Sequence, residues 1–496
     1  MEVPILQEGQ VLLDRSSAVP LPEQIYRSLR QAVAEGTLRP GHRLPSSRRL
    51  AATLDVSRNT VNAAYDLLKG ESIVDITGRS APIVAARVPP EGEAPRSATS
   101  PPPPSLSVRG RLKADDTRGR AWARHPGLLQ PGAPATDLFP FELWARCLRR
   151  AVMRERSAVL HYDRTGGVPQ LREILASYLA AARGVEAEPD QILVVASTQG
   201  ALSGLAEALC DPGERVWIED PGYLGARAAF SGAGLALSGL PVDAEGANVE
   251  RMKSEDAARL IYVTPSHQYP TGARMTLARR LSLLAHARSV GAMVLEDDYD
   301  SEFLFEGRPI SALHGLAQSE QVIYLGTFAK TLLPGLRTAY CVVPKALARD
   351  LTELFRSTGR LANVHAQLAI ADFIDGGHYQ AHLRRIRTVY EERGSALHRA
   401  LVSRFGDRIE VDRPTGNVQL TVAFRAPVDD AEVAMAMQRD GFAVSPLSAC
   451  YLDAAPRPGL VIGFAGATAS QIEAGIRSLE RALDAQQPRV QPKLTR

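Results

Sequence analysis

The sequence predicts an α/β protein in two unequal parts: a short helical module closed by a strand pair, then a large domain on a mostly parallel sheet. Three observations lead there. Residues 1–86 carry three closely spaced amphipathic helix patterns. Residues 87–120 hold Pro89-Pro90, Pro95 and the run Pro101 to Pro104, a composition that buries no core and reads as a stiff spacer. From about Gln130, short apolar runs alternate with helical periods, as strands do when helices cover both faces of a sheet. The expected division is therefore a module over 1–86, a spacer over 87–120, a domain over 121–486 and a tail over 487–496. A chain of 496 residues requires more than one core.

In the N-terminal module, Pro20 and Pro22 open a helix whose apolar face is Ile25, Leu29, Ala32 and Val33, with Gly36 ending it. Pro45-Ser46-Ser47 starts a second helix that buries Leu50, Ala51 and Leu54. Asp55-Val56 is a tight connection. Ser57 caps a third helix with the stripe Val61, Tyr65 and Leu68. Two short helices joined this closely form a helix-turn-helix. Ile73 to Ile76 and Ile83-Val84 read as a hairpin, a wing with Thr77-Gly78-Arg79 at its tip. From Arg39 to Thr60, five arginines (Arg39, Arg43, Arg48, Arg49, Arg58) are opposed only by Asp55, which makes a candidate phosphate-binding face. The net charge of +3 averages this local block away.

In the large domain the candidate strands are Ile192–Val195, Arg215–Ile218, Leu260–Val263, Met293–Leu295, Val322–Leu325 and Thr338–Val343. Candidate helices are Gln170–Ala182, Gly200–Leu209, Leu277–Ala287 and Leu347–Arg356. Ligands in such folds bind beyond the carboxyl ends of the strands. The loops there carry, in order, Ser197-Thr198-Gln199-Gly200 leading into a helix, Glu219-Asp220-Pro221-Gly222-Tyr223, Thr264 to Gly272, Glu296-Asp297-Asp298-Tyr299-Asp300 and Gly326-Thr327-Phe328-Ala329-Lys330, with Arg337 following. Small and hydroxyl residues at a helix N-terminus make an anion cradle.

Composition excludes several classes. Hydrophobic residues make up 45% and charged residues 23%, ordinary for a globular chain. No apolar run approaches the roughly 20 residues that span a bilayer. The first ten residues have no signal pattern. The four cysteines (Cys147, Cys210, Cys341, Cys450) have no paired spacing, which suits a reduced cytoplasm and no metal site.

Leu44-Pro45-Ser46-Ser47-Arg48, Leu50-Ala51, Val56-Ser57-Arg58-Asn59-Thr60-Val61 and Ala64-Tyr65 together resemble the winged helix-turn-helix of the GntR regulator family, over about residues 18–86. The resemblance implies that Ser57, Arg58, Asn59 and Thr60 meet double-stranded operator DNA in the major groove. It further implies that Arg48 binds phosphate and that Arg79 approaches the minor groove or backbone. The five strand-end motifs resemble fold-type I pyridoxal-phosphate (PLP) enzymes of the aspartate aminotransferase kind, over about residues 130–485. Both halves in this order resemble the MocR-type regulators.

That resemblance implies roles residue by residue. Lys330 forms the Schiff base with PLP, and Asp297, rather than the neighbouring Asp298, pairs with the pyridinium nitrogen. Tyr299 bonds the ring's O3′ and Tyr223 stacks on the ring face. Thr198, Gln199, Thr327 and Arg337 hold the phosphate, and Tyr162 reaches the phosphate of the second subunit of a homodimer. Two positions depart from the aminotransferase pattern. Tyr269 stands where those enzymes carry an Asn that bonds O3′. Val461, in Gly459-Leu460-Val461-Ile462-Gly463-Phe464-Ala465, stands where they carry the Arg that grips a substrate carboxylate. Arg227 and Arg457 are the candidate replacements. The expectation is a cytoplasmic PLP-binding transcriptional regulator whose effector is PLP or a small amino compound exchanging at Lys330. The alternatives are an active aminotransferase with an accessory DNA-binding module and a PLP-binding sensor with no catalysis.

Overall fold

The computed structural model describes residues 11, 13–76, 81–85, 105–114, 127–154, 161, 165–252, 257–307, 310–317 and 320–486. The expected wing tip with Arg79, the residue Tyr162 and most of the spacer lie outside the described residues. The chain divides into two compact units, Met1–Ser105 and Leu106–Arg496.

In the first unit, α1 (Leu21–Ala34) buries Ile25, Leu29, Ala32 and Val33, the face its periodicity marks. Helix α2 (Ser47–Leu54) begins at Ser46, whose side chain accepts the Arg49 amide. It ends at Asp55 in the left-handed conformation at φ 50°, which an aspartate tolerates better than most residues. Helix α3 (Arg58–Gly70) begins at Ser57, which accepts the Thr60 amide at 3.1 Å. Buried Tyr65 on α3 donates its hydroxyl to the Pro45 carbonyl at 2.7 Å, so the third helix holds the start of the second. Strands β1 (Val74–Asp75) and β2 (Ile83–Val84) pair antiparallel and form the base of the wing.

The second unit starts with α4 (Val108–Ala114), inside the stretch read as spacer. The spacer reading rests on prolines, and those stop at Pro104; beyond it Ser107 accepts the Gly110 amide at 3.0 Å and the chain turns helical. Then follow α5 (Phe141–Arg154), α6 (Pro169–Arg183), β3 (Ile192–Val195), α7 (Thr198–Leu209), β4 (Arg215–Asp220) and α8 (Leu224–Ala233). Next come β5 (Ala236–Asp243), β6 (Gly246–Ala247), β7 (Leu260–Val263), α9 (Leu277–Val290), β8 (Met293–Asp298), α10 (Leu313–Ala317), β9 (Val322–Thr327) and β10 (Ala339–Val342). The remainder is α11 (Lys345–Ser357), α12 (Val364–Asp375), α13 (His378–Phe405), β11 (Ile409–Val411), β12 (Gln419–Phe424), α14 (Asp430–Arg439), β13 (Ser445–Pro446), β14 (Gly459–Gly463) and α15 (Ala469–Gln486).

The central sheet runs β3-β10-β9-β8-β7-β4-β5-β6. Strands β9, β8, β7, β4 and β5 are mutually parallel, whereas β10 is antiparallel to both its neighbours. Strands β3, β7 and β10 are buried throughout, which is why they read as continuous apolar runs. Chain order reverses between β4 and β7, the switch point at which open α/β sheets bind ligands. A second sheet, antiparallel in the order β11-β12-β14-β13, shares one large apolar cluster with α13, α14 and α15. Neither this sheet nor β5 stood out in the sequence: β5 is only half-buried and contains Pro241, and β11 and β13 are two or three residues long.

Candidate functional site

Loops after β3, β4, β7, β8 and β9 converge on one cavity of about 230 Å³. Because β10 runs opposite to its neighbours, Arg337 and Thr338, which precede it, reach the same end of the sheet. Nine of the expected residues line this cavity together: Thr198, Gln199, Tyr223, Tyr269, Asp297, Tyr299, Thr327, Lys330 and Arg337.

Lys330 follows β9 and donates its Nζ to the Gly132 carbonyl at 2.7 Å. Gly132 is at φ 72°, a conformation that favours glycine, and a Cβ there would lie 2.5 Å from the lysine Nζ and push it aside. Asp297 is the second carboxylate of the Glu296–Asp298 run and is buried. Strand alternation sends it into the cavity, where Tyr262 donates to its Oδ2 at 2.7 Å. Burial pushes the Asp297 carboxyl up to about 7, against the pull of that hydrogen bond and of Lys330. Asp298 points to the opposite face. Burial works against its charge too, but Arg183 (2.8 Å), Tyr324 (2.6 Å) and Ser301 (2.9 Å) hold it below the usual carboxylate value. Of the two neighbours, Asp297 lines the cavity, and Asp298 is spent on the scaffold.

At one end of the cavity, α7 presents its N-terminus. Ser197 caps it by accepting the Gly200 amide at 3.0 Å, and Thr198 stands at its first position. Gln199 spends its amide nitrogen on the Gly225 carbonyl at 2.8 Å, tying α7 to α8. Thr327 accepts the Ala329 amide at 3.1 Å, and Arg337 sits at φ 51° at the rim. Helix amides, hydroxyls and a guanidinium at one place suit a phosphate. Tyr223 and Tyr269 meet edge to face, with centroids 5.4 Å apart, and wall the cavity. The phenol of Tyr299 receives the Asn417 side-chain amide at 3.4 Å; its burial, then the nearby Asp300, raises its pKa well above the ordinary value. Taken together the donor set fits a phosphorylated aromatic aldehyde: phosphate cradle, ring wall, amine and a carboxylate for a ring nitrogen.

Val461 is fully buried on β14 beside Ala423 and Leu447. The candidate replacements for an arginine there do not line this cavity. Arg227 donates to the Tyr451 carbonyl at 3.1 Å, and Arg457 pairs with Glu410. Sequence reasoning missed Gly132, Tyr262 and Gln419, which line the cavity from a loop, a strand interior and the second sheet. No local motif marks them; only the placement of Tyr262 two residues before Thr264 was available as a signal.

In the first unit, Ser57, Arg58 and Asn59 are exposed at the start of α3, and Arg48 is exposed on α2. Ser57 and Thr60 join hydroxyls at 2.8 Å across the helix end, so both serve the cap. Arg58 Nε donates to Ser47 at 3.2 Å, which links the two helix starts and leaves its remaining donors outward.

The match to known proteins covers both units. Residues 130–479 match the family model for aminotransferase class I and II, and residues 21–84 match that for bacterial regulatory proteins of the gntR family. The chain is 39% identical, over 95% of each chain, to the probable rhizopine catabolism regulatory protein MocR of Rhizobium meliloti. It is 30% identical to the HTH-type pyridoxine biosynthesis transcriptional regulator PdxR of Corynebacterium glutamicum, over 93% of this chain and 95% of that one. Among solved structures it is similar to LysN, the alpha-aminoadipate aminotransferase of Thermus thermophilus complexed with N-(5'-phosphopyridoxyl)-L-leucine, with TM-score 0.69 and 27% identity over 76% of this chain and 97% of that one.

Proposed function

The chain belongs to the HTH-type transcriptional regulators that join a gntR-family DNA-binding domain to an aminotransferase class I and II domain, and on that premise we propose that it regulates transcription in response to an amino compound sensed at PLP in the Lys330 cavity. The observation that carries this reading is the meeting of Lys330, Asp297 and the α7 N-terminus in one cavity. PLP, when bound, supplies an aldehyde that combines with amines and a ring that withdraws electrons.

The residues divide the remaining work. The Gly132 carbonyl holds the Lys330 amine in the cavity. Asp297, raised to about 7 by burial, would be held in its charged form by a protonated ring nitrogen, and Tyr262 supports that form by donating to it. Thr198, Gln199, Thr327, Arg337 and the α7 amides would hold the phosphate, and the Gln199 side-chain nitrogen also ties α7 to α8 through the Gly225 carbonyl. Tyr223 would pack against the ring, and Tyr299 and Tyr269 would offer phenols to its hydroxyl. Lys330 would be the residue at which an amine is sensed, and amine binding would shift the balance between domain arrangements and so change how two winged helices of a homodimer meet an operator.

Absorbance tests the reading. The purified protein is expected to show a visible band of bound PLP that Lys330→Ala loses; a band that survives in the variant refutes the assignment. The second reading, a working aminotransferase with an accessory DNA-binding module, is favoured by the complete Lys330 and Asp297 pair. Sustained turnover with amino donors and keto acids would establish it. Val461 in the place of a carboxylate-gripping arginine favours sensing.

A further inference from the structure

Beside Asp297, the charged side chains lining the cavity among the described residues are Lys330 and Arg337. On the cofactor reading, which this inference rests on, both are committed, one to the aldehyde and one to the phosphate. A carboxylate on the carbon that bears a ligand's amine would then be buried in the cavity with no further cation among the described lining residues to pair it. An unpaired buried charge is strongly disfavoured. The described cations nearby, Arg251, Arg274, Arg413 and Arg457, line a second, adjoining cleft of about 740 Å³ and not the cavity itself.

What the wall does offer is an amide. Gln419, at the start of β12, is 3% exposed. Its Nε2 is buried and has no hydrogen-bond partner among the described residues. The side chain lines both the cavity and the second cleft, so it stands at the passage between them. A buried donor left unmade is costly, and a ligand oxygen at this point removes that cost. Around it the cavity adds Tyr269, Tyr299 and Thr264, all uncharged hydrogen-bonding groups.

We propose that the effector is a primary amine with no carboxylate on its amine-bearing carbon, and that it presents an uncharged oxygen to Gln419, with any longer portion running into the second cleft. Gln419 is then a specificity-determining residue of the sensing site. An amino acid of the ordinary kind is the wrong ligand, because the described residues of the cavity hold no spare cation for its carboxylate.

The test uses the full-length PLP-loaded protein and two probes, serinol and L-serine, which differ only in a hydroxymethyl group against a carboxylate. Each is titrated while the visible band and the melting temperature are followed. Serinol is expected to change the band at a concentration about tenfold or more below that of L-serine. Gln419→Leu should leave the resting band intact and raise the serinol requirement about tenfold, the scale of one lost hydrogen bond. Gln419→Met, which keeps the length of the side chain but cannot donate, is expected to give the same loss and serves if the leucine variant does not fold. L-serine acting as well as serinol, or a folded variant titrating like the wild type, overturns the proposal while the cofactor reading stands. A resting protein without the band overturns both.

Discussion

Asp297 and Asp298 are neighbours with opposite fates, and alternation along β8 is the reason. One side chain enters the cavity with a single donor, Tyr262; the other meets Arg183, Tyr324 and Ser301. This predicts a pH effect. Burial raises the Asp297 carboxyl from 3.8 to about 7. In protein stripped of PLP, the folded state keeps this proton after the unfolded chain has released it. The stability it contributes is therefore fully present below about pH 4 and lost as pH rises through about 7. Glu219 and Glu302 are also raised to about 7 by burial, so the comparison must be made against a variant. The melting temperature of stripped Asp297→Asn minus that of the stripped wild type is expected to grow between about pH 5 and 7 and then level off. A difference independent of pH would show that Asp297 carries no raised pKa.

Between elements, the end of β4 is latched to the second sheet's domain. Asp220 accepts the backbone amides of Leu452 (2.8 Å), Asp453 (2.9 Å) and Ala454 (2.7 Å). Two residues on, the Gly222 amide reaches the Cys450 carbonyl at 2.9 Å. The same loop delivers Tyr223 to the cavity, so the latch holds a cavity wall as well as two layers. Asp220→Ala is expected to cost about 2–4 kcal/mol, since three amides lose a charged acceptor. Thermal melting would read that loss, and PLP affinity should weaken with it. A variant as stable as the wild type and with unchanged PLP affinity would deny the latch its role. In the first unit Tyr65 plays the corresponding part by tying α3 to Pro45.

Across the whole molecule, charge is distributed unevenly: a net charge of +3 conceals a basic DNA-facing segment on an otherwise balanced chain. DNA affinity should therefore fall steeply with salt despite the near-neutral total. Arg58→Ala is expected to weaken operator binding about tenfold and, where its contact is to phosphate, to lower the salt slope by about 1. Binding measured at several salt concentrations reads both, and an unchanged affinity would remove Arg58 from the interface. If the proposed homodimer forms, its two winged helices are expected to protect repeated half-sites, whose spacing a footprint reports.

The sequence by itself determined the local features of both units. Helix caps at Ser46 and Ser57, the apolar faces of α1 to α3 and the buried central strands were all legible, because each follows from the period and caps of a single segment. The nine strand-end residues were legible as a set because one loop after each strand carries them in order. Tertiary structure alone decided which of two adjacent aspartates faces the cavity, that α4 starts where the prolines stop, and that Gly132, Tyr262 and Gln419 complete the wall. These last come from a loop, a strand interior and a separate sheet, far apart along the chain. Their function exists only as proximity, and proximity between distant segments is set by how the layers pack, which no local pattern of residues records.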